Sequence, residues 1–150
     1  MKTDYDILTA QAEALVDGIP YLTANLANLA AAICENLEDI NWAGFYLVQG
    51  DILVLGPFQG KPACIEIPCG KGVCGTAMAQ DRVIRVENVH CFEGHIACDS
   101  ASNSEIVLPL HKGGSVAGVL DIDSTSFGRF SAEDEEGLLK LVKIIEDKVF

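Results

Sequence analysis

The sequence predicts an α+β fold, a central antiparallel sheet of about six strands flanked by N-terminal and C-terminal helices. Apolar residues recur at helical spacing near both ends of the chain, whereas the middle consists of short extended runs. Gly-containing turns join several of these runs, and short connections favour antiparallel neighbours. A chain of 150 residues fits one domain, so we expect residues 1–150 to form a single unit.

Helices are expected at both ends of the chain. The first covers residues 4–17 and ends at Gly18, and Pro20 starts a second. The second helix has its apolar residues at helical spacing: Leu22, Leu26, Leu29 and Ile33. Ser131 is a good N-cap for the last helix, whose first turn is acidic. One face of that helix is apolar: Leu138, Leu141, Val142 and Ile145.

The strands are expected from about Ile40 onward. The extended runs are "INWAGFYLV", "DILVLGPF", "CIEIP", "RVIRVEN", "SEIVLPLH" and "SVAGVLDIDS". A further short helix is expected at "GVCGTAMAQ", between the third and fourth runs. Helices at the two ends of a meandering set of strands are typical of α+β domains.

Charge and hydropathy exclude some functions. A formal net charge of −12 argues against nucleic-acid binding, which needs a basic surface. No apolar run approaches the roughly 20 residues that cross a bilayer, so no membrane partner is expected. The opening "MKTDYDILTA" lacks the layout of a signal peptide, which favours a cytoplasmic protein.

One predicted hairpin brings acidic residues together. "SEIVLPLH" and "SVAGVLDIDS" are separated by Lys112-Gly113-Gly114, and a three-residue turn there places Glu105 opposite Asp121. Asp121 and Asp123 share a face because side chains alternate along a strand. Glu105 joins them, about 5 Å from Asp121 at the β-carbons. Such acids either lie on an exposed face screened by solvent or form a pocket for an ammonium group, a metal or a protonatable substrate.

The six cysteines leave three interpretations open at this point. In a reducing compartment they are not a disulfide framework. Cys34, on the apolar side of a helix, fits simple burial. Cys98 lies in the polar segment "CFEGHIACDSASNSE" that leads into Glu105, so it is a candidate nucleophile. The metal alternative would use four zinc-type ligands in this region: His90, Cys91, His95 and Cys98.

Five blocks of sequence carry a family resemblance. They are "NWAGFYL", "GKGVCGTA", "FEGHIACDSASNSEIVLPL", "GVLDIDS" and "GRFSAEDEEGL". Together they resemble the free methionine-(R)-sulfoxide reductases, small single-domain GAF proteins, over roughly residues 35 to 145 in unbroken order. The resemblance implies a GAF fold and reduction of the free amino acid sulfoxide, not of the residue within proteins.

The resemblance also implies roles for individual cysteines. Cys98, in "HIACD", corresponds to the catalytic cysteine, which would become a sulfenic acid. Cys74, in "GVCG", resembles the resolving partner, and Cys64 matches a third cysteine that serves as an alternative partner. The remaining cysteines lie outside the family pattern: Cys34, Cys69 and Cys91.

The other implied site residues bind substrate. Three match the family's catalytic and substrate-binding carboxylates: Glu105, Asp121 and Asp123. Trp42 and Tyr46 match aromatic residues that pack around the substrate's methyl end. No metal or organic cofactor is implied. The implied partners are thioredoxin or a similar dithiol reductant and a second copy of the chain in a homodimer.

Two other functions would use the same residues without turnover. GAF domains often bind small ligands as sensor modules, and a redox switch could use the same cysteines stoichiometrically. Reduction of a sulfoxide distinguishes the reductase from both.

Overall fold

The computed structural model describes residues 2–96, 98 and 101–150. Its α-helices are α1 (Tyr5–Val16), α2 (Leu22–Asn36), α3 (Gly72–Gln80) and α4 (Ala132–Lys148). Its strands are β1 (Trp42–Gln49), β2 (Ile52–Gln59), β3 (Glu66–Pro68), β4 (Ile84–Val86), β5 (Ser104–Lys112) and β6 (Ser115–Ser124). Every predicted helix and strand is confirmed. A short 3-10 helix at Val89–Cys91 was not predicted.

The six strands form one sheet in the order β3-β2-β1-β6-β5-β4. Each neighbouring pair is antiparallel, which confirms the predicted α+β class. None of the helices in the described residues has the length and apolar character needed to cross a membrane.

The sheet buries a different apolar cluster on each face. Leu108 and Leu120 pack in the larger cluster with residues of α1, α2 and α4. Their neighbours Val107 and Val119 pack in the smaller cluster with α3. Consecutive residues point to opposite faces of a strand, so residues 105, 107, 119, 121 and 123 face α3. The fold therefore places the predicted acids on the α3 side of the sheet.

The predicted register of the β5–β6 hairpin is wrong by two residues. Lys112 pairs with Ser115, Glu105 lies opposite Asp123, and Val107 lies opposite Asp121. Gly113 and Gly114 both have positive φ, 60° and 82°, so they form a two-residue turn of the kind that such glycines favour. A bulge between Leu110 and His111 then shifts the pairing by one residue. The shift from the prediction is even, so all the acids still share one face.

α1 and α4 pack closely through an aromatic ring. Ser131 and Asp134 form a reciprocal capping box at the start of α4. The Tyr5 hydroxyl donates a hydrogen bond of 2.7 Å to Asp134 Oδ1. The Tyr5 ring lies directly over Gly137, where an added β-carbon would be 2.2 Å from Tyr5 Cγ. The missing side chain at position 137 therefore allows α1 to contact α4.

We expect Gly137→Ala to destabilise the protein by about 1–3 kcal/mol through overpacking, although Ala favours an exposed helix by about 1 kcal/mol. In a Tyr5→Ala background the same change should stabilise. Urea unfolding of the four proteins in this double-mutant cycle measures both effects. Stabilisation by Gly137→Ala in the wild-type background would contradict the packing described.

Candidate active site

Three carboxylates and a thiol converge between the sheet and α3. Glu105 on β5 lies opposite Asp123 on β6, and Asp121 is two residues further along the same face. Cys74, near the start of α3, covers them. Cys74, Glu105 and Asp121 are 4%, 7% and 5% exposed, which excludes the interpretation of an exposed acidic face for these residues.

These groups contact one another directly. The Cys74 thiol donates a hydrogen bond to Glu105 Oε2 with a separation of 3.9 Å. One ligand-type atom from each of Cys74, Glu105 and Asp121 lies within 4.8 Å of the others. Among the described residues, Asp121 Oδ1 is buried without a hydrogen-bond partner. A buried carboxylate oxygen of this kind is costly unless a donor reaches it, and Asp121 lines the cavity described below.

Burial changes the acid–base behaviour of the cluster. It raises the pKa of Glu105 well above its usual range, and the charges of Asp121 and Asp123 raise it further. Burial also raises the pKa of Asp121, while the neighbouring Glu105 and Cys74 side chains act in the opposite direction. The pKa of the Cys74 thiol is raised well above its usual value by burial and then by Asp121 and Glu105. The cluster can therefore hold a neutral carboxylic acid, able to donate a proton, at a pH where exposed acids are ionised.

A disulfide lies against the same cavity. Cys98 is bonded to Cys64, with the two α-carbons 5.4 Å apart. Cys64 precedes β3 and Cys98 follows the 3-10 helix, and both are half-buried. Cys74 is a free thiol. The structure thus joins Cys98 to the cysteine that the resemblance gave as the alternative partner and places Cys74 on the carboxylates.

Trp42 and Tyr46 form one wall of the cavity. Their rings stack with centroids 6.0 Å apart, and the Phe58 ring also stacks on Trp42, with centroids 5.1 Å apart. The Trp42 indole N–H donates to a backbone carbonyl at 3.1 Å. The Tyr46 hydroxyl donates to the Cys64 carbonyl oxygen at 3.0 Å. The aromatic wall therefore fixes the segment that carries Cys64.

The cavity has a volume of about 40 Å³. Every predicted site residue except Cys64 lines it. Ser102 and Ile96 also line it, although no sequence pattern predicts either of them as a site residue. Ser102 is buried and accepts a hydrogen bond of 3.0 Å from Asn41 Nδ2. It belongs to a run of small polar residues, and such a run gives no signal that one member faces a site.

His95 lines the cavity as well. A positive charge on this ring would lower the pKa of a neighbouring thiol and activate it. Burial and then the nearby His90 lower the pKa of His95, which favours a neutral ring. His95 therefore offers a proton acceptor or donor rather than a fixed positive charge.

The alternative zinc set is not assembled. Cys98 is in a disulfide, Cys91 is exposed, and the His90 ring contacts Asn103 at 2.8 Å. Among the residues that the structure describes, Cys74, Glu105 and Asp121 are the one group of three potential metal ligands within 4.8 Å. The four residues of this alternative set therefore do not form a metal centre in this arrangement.

Comparisons with known proteins agree on one family. The sequence profile of the GAF domain matches residues 22–146. The chain is 60% identical to the free methionine-R-sulfoxide reductase of Escherichia coli (strain K12) over 97% of its own length and 88% of the relative's. The structure of fRMsr of Staphylococcus aureus in complex with substrate superposes with a TM-score of 0.95 at 48% identity, covering 100% of this chain and 98% of that one. A free methionine-R-sulfoxide reductase from Neisseria meningitidis, in complex with its substrate, gives a TM-score of 0.94 at 42% identity, covering 99% and 92%.

Replacing Glu105 with Gln should change how stability depends on pH. The folded-state pKa of Glu105 is raised, so its contribution to stability is complete below its unfolded-state pKa of about 4.3. That contribution is lost as pH rises through the folded-state value. Glu105→Gln removes the ionisable group and therefore this loss of stability. The free energy of unfolding of the variant minus that of wild type should therefore increase with pH.

Urea unfolding at several pH values between about 5 and 8 measures this difference. Glu66→Gln, at an exposed position on β3, is the matched control and should run parallel to wild type. A Glu105→Gln curve parallel to wild type would show that burial of Glu105 does not shift its titration.

Proposed function

Because the chain belongs to the GAF domain family and, within it, to the free methionine-(R)-sulfoxide reductases, we propose that it reduces free methionine-(R)-sulfoxide to methionine with Cys98 as nucleophile. One observation carries the proposal: the Cys64–Cys98 disulfide lies beside a cavity whose wall contains three carboxylates. This arrangement combines a redox-active sulfur with groups that can protonate a sulfoxide oxygen.

The first step transfers oxygen from the substrate to the enzyme. The Cys98 thiolate attacks the sulfoxide sulfur while a neutral carboxylic acid, for which Glu105 is the best candidate, protonates the oxygen. The substrate's S–O bond breaks, its sulfur gains two electrons, and methionine leaves. The Cys98 sulfur loses the two electrons and becomes a sulfenic acid. The raised pKa of Glu105 supports its role as the proton donor.

The second step forms a disulfide and releases water. The thiol of Cys64 displaces the sulfenic oxygen of Cys98 as water, and the resulting S–S bond is the one present in this structure. Cys74 was the first expected partner from the resemblance. Its free, buried thiol on Glu105 supports a place within the acid cluster, so we assign resolution to Cys64 and keep Cys74 as the alternative.

A dithiol then returns the enzyme to its starting state. It reduces the Cys64–Cys98 bond to two thiols and is itself oxidised to a disulfide. Neither cysteine is fully buried, which is compatible with attack by a protein reductant. Thioredoxin or a similar dithiol is the reductant we propose, which fits a reducing cytoplasm. That two copies of the chain form a homodimer remains a prediction from the family resemblance.

Substrate selection follows from the polarity of the cavity. We assign the substrate's ammonium group to an ionised carboxylate, with Asp121 preferred because its Oδ1 is buried without a partner among the described residues. Asp123 completes the same face. The apolar surfaces of Trp42 and Tyr46 suit the methyl and thioether end. A methionine sulfoxide inside a protein has no free ammonium group for the carboxylate to pair with.

Single replacements of the cysteines separate their roles. Cys98→Ser should lower methionine release by at least about 1,000-fold, because the nucleophile is lost. Cys64→Ser should release about one methionine per enzyme and then stop with thioredoxin, which needs a disulfide to reduce. A small thiol that attacks sulfenic acid directly should restore its turnover.

Cys74→Ser is the comparison variant and Cys91→Ser, at an exposed site, is the neutral control. If Cys74→Ser stops after one turnover while Cys64→Ser continues with thioredoxin, resolution belongs to Cys74. Full activity of Cys98→Ser would contradict the nucleophile assignment. Absence of sulfoxide reduction in folded, reduced wild-type protein would favour a ligand-binding or redox-sensing module.

A further inference from the structure

The thiol and two of the carboxylates in the cavity form a compact set of ligand atoms. They come from three different elements: Cys74 from α3, Glu105 from β5 and Asp121 from β6. One ligand atom from each lies within 4.8 Å of the others. Two atoms that bind the same zinc ion through sulfur and oxygen lie at most about 4.5 Å apart. The Cys74 Sγ–Glu105 Oε2 separation of 3.9 Å is already within that limit.

A second observation indicates that this set receives a cationic ligand. Asp121 is only 5% exposed, it lines the cavity, and its Oδ1 has no hydrogen-bond partner in the described part of the chain. A buried carboxylate oxygen without a donor is stabilised by a metal ion or a cationic group. The unpaired oxygen therefore points to a positively charged occupant of the cavity.

The chemistry of the donors selects the kind of cation. One thiolate with two carboxylates is a set that Zn²⁺ accepts, whereas Mg²⁺ and Ca²⁺ require oxygen ligands. Three protein ligands with a fourth position open to a cavity is a usual zinc arrangement. We infer that Cys74, Glu105 and Asp121 bind a thiophilic divalent cation, Zn²⁺ in particular, as an inhibitory ligand rather than as a cofactor.

The inhibitory effect rests on the proposed function, whereas the binding does not. Zn²⁺ on Glu105 would occupy the group assigned to protonate the sulfoxide, and Zn²⁺ on Asp121 would exclude the substrate's ammonium group. Zn²⁺ and the substrate would then compete for one cavity. Because Cys98 is held by Cys64 in this structure, Cys74 is the cavity's free thiol among the described residues.

Binding is measured on the disulfide form without thiol reductants. Zn²⁺ titration against a fluorescent competing chelator should give one site per wild-type chain. Cys74→Ser and Asp121→Asn should each weaken it by at least about 10-fold. Cys69→Ser and Cys91→Ser, which change exposed thiols, should leave the affinity unchanged. Circular dichroism verifies that each variant is folded. If Cys74→Ser does not fold, Asp121→Asn still tests the site independently.

Co²⁺ provides a spectroscopic test of the thiolate ligand. Wild-type protein should show the thiolate-to-cobalt charge-transfer band, and Cys74→Ser should lose it while Cys91→Ser retains it. Absence of binding, or equal binding by Cys74→Ser and wild type, would overturn the site. Loss of the band only in Cys91→Ser or Cys69→Ser would assign the metal to a surface thiol and would also overturn it.

A kinetic measurement separates this inference from the proposed function. In single-turnover reactions of pre-reduced enzyme, in which Cys98 is also a free thiol, Zn²⁺ should raise the substrate concentration needed for half-maximal rate more in wild type than in Cys74→Ser and leave the maximal rate unchanged. Sulfoxide reduction without Zn²⁺ binding would refute the cation site alone. Zn²⁺ binding without any sulfoxide reduction would refute the proposed function alone.

Discussion

Burial of carboxylates against a thiol is the constraint on which the site depends. Glu105 and Asp121 are almost completely buried next to Cys74, and like charges in such a place repel one another. The pKa values of both acids are raised, and this lowers the cost because a protonated carboxyl group carries no charge. The result is a carboxylic acid that can stay protonated, held in the same cavity as Cys98 of the Cys64–Cys98 disulfide, and the fold has to enforce that position.

The two faces of the sheet divide this task. The larger apolar cluster lies between the sheet and α1, α2 and α4 and supplies most of the hydrophobic stabilisation. The smaller cluster under α3 contains Trp42, Tyr46 and Cys74 and is interrupted by the acids. A destabilising site thus lies on a sheet whose opposite face packs against three helices, which agrees with the stability cost often found at functional sites.

Much of this arrangement could be predicted from the sequence because it depends on local patterns. Alternation along β5 and β6 placed Glu105, Asp121 and Asp123 on one face, and helical spacing located α1, α2 and α4. The predicted register was wrong for two reasons: the turn uses only Gly113 and Gly114 rather than three residues, and a bulge between Leu110 and His111 has no signal in residue type. The observed pairing differs from the predicted one by two residues, an even number, so each side chain stays on its predicted face of the sheet. The three acids were therefore grouped correctly although their predicted partners were wrong.

The cysteines show where sequence patterns stop. The Cys64–Cys98 bond joins residues separated by 34 positions, and the Tyr46 hydroxyl donates a hydrogen bond to the Cys64 carbonyl from 18 positions away. Neither contact has a signal in the local sequence. The burial of Cys74 follows from the packing of α3 against β5 and β6. Spacing alone could not show which cysteine bonds to Cys98 and which contacts a carboxylate, nor could it show that Ser102 lines the cavity.

The most direct test of the central claim compares free methionine-(R)-sulfoxide with its N-acetyl derivative, which has the same sulfoxide but no positive charge. If the buried carboxylates pair with the ammonium group, kcat/KM for the acetylated compound should fall by at least about 30-fold. The (S) epimer should not be turned over. Equal kcat/KM for the free and acetylated (R) compounds would contradict the account, because the acid cluster would then have no part in recognising the substrate.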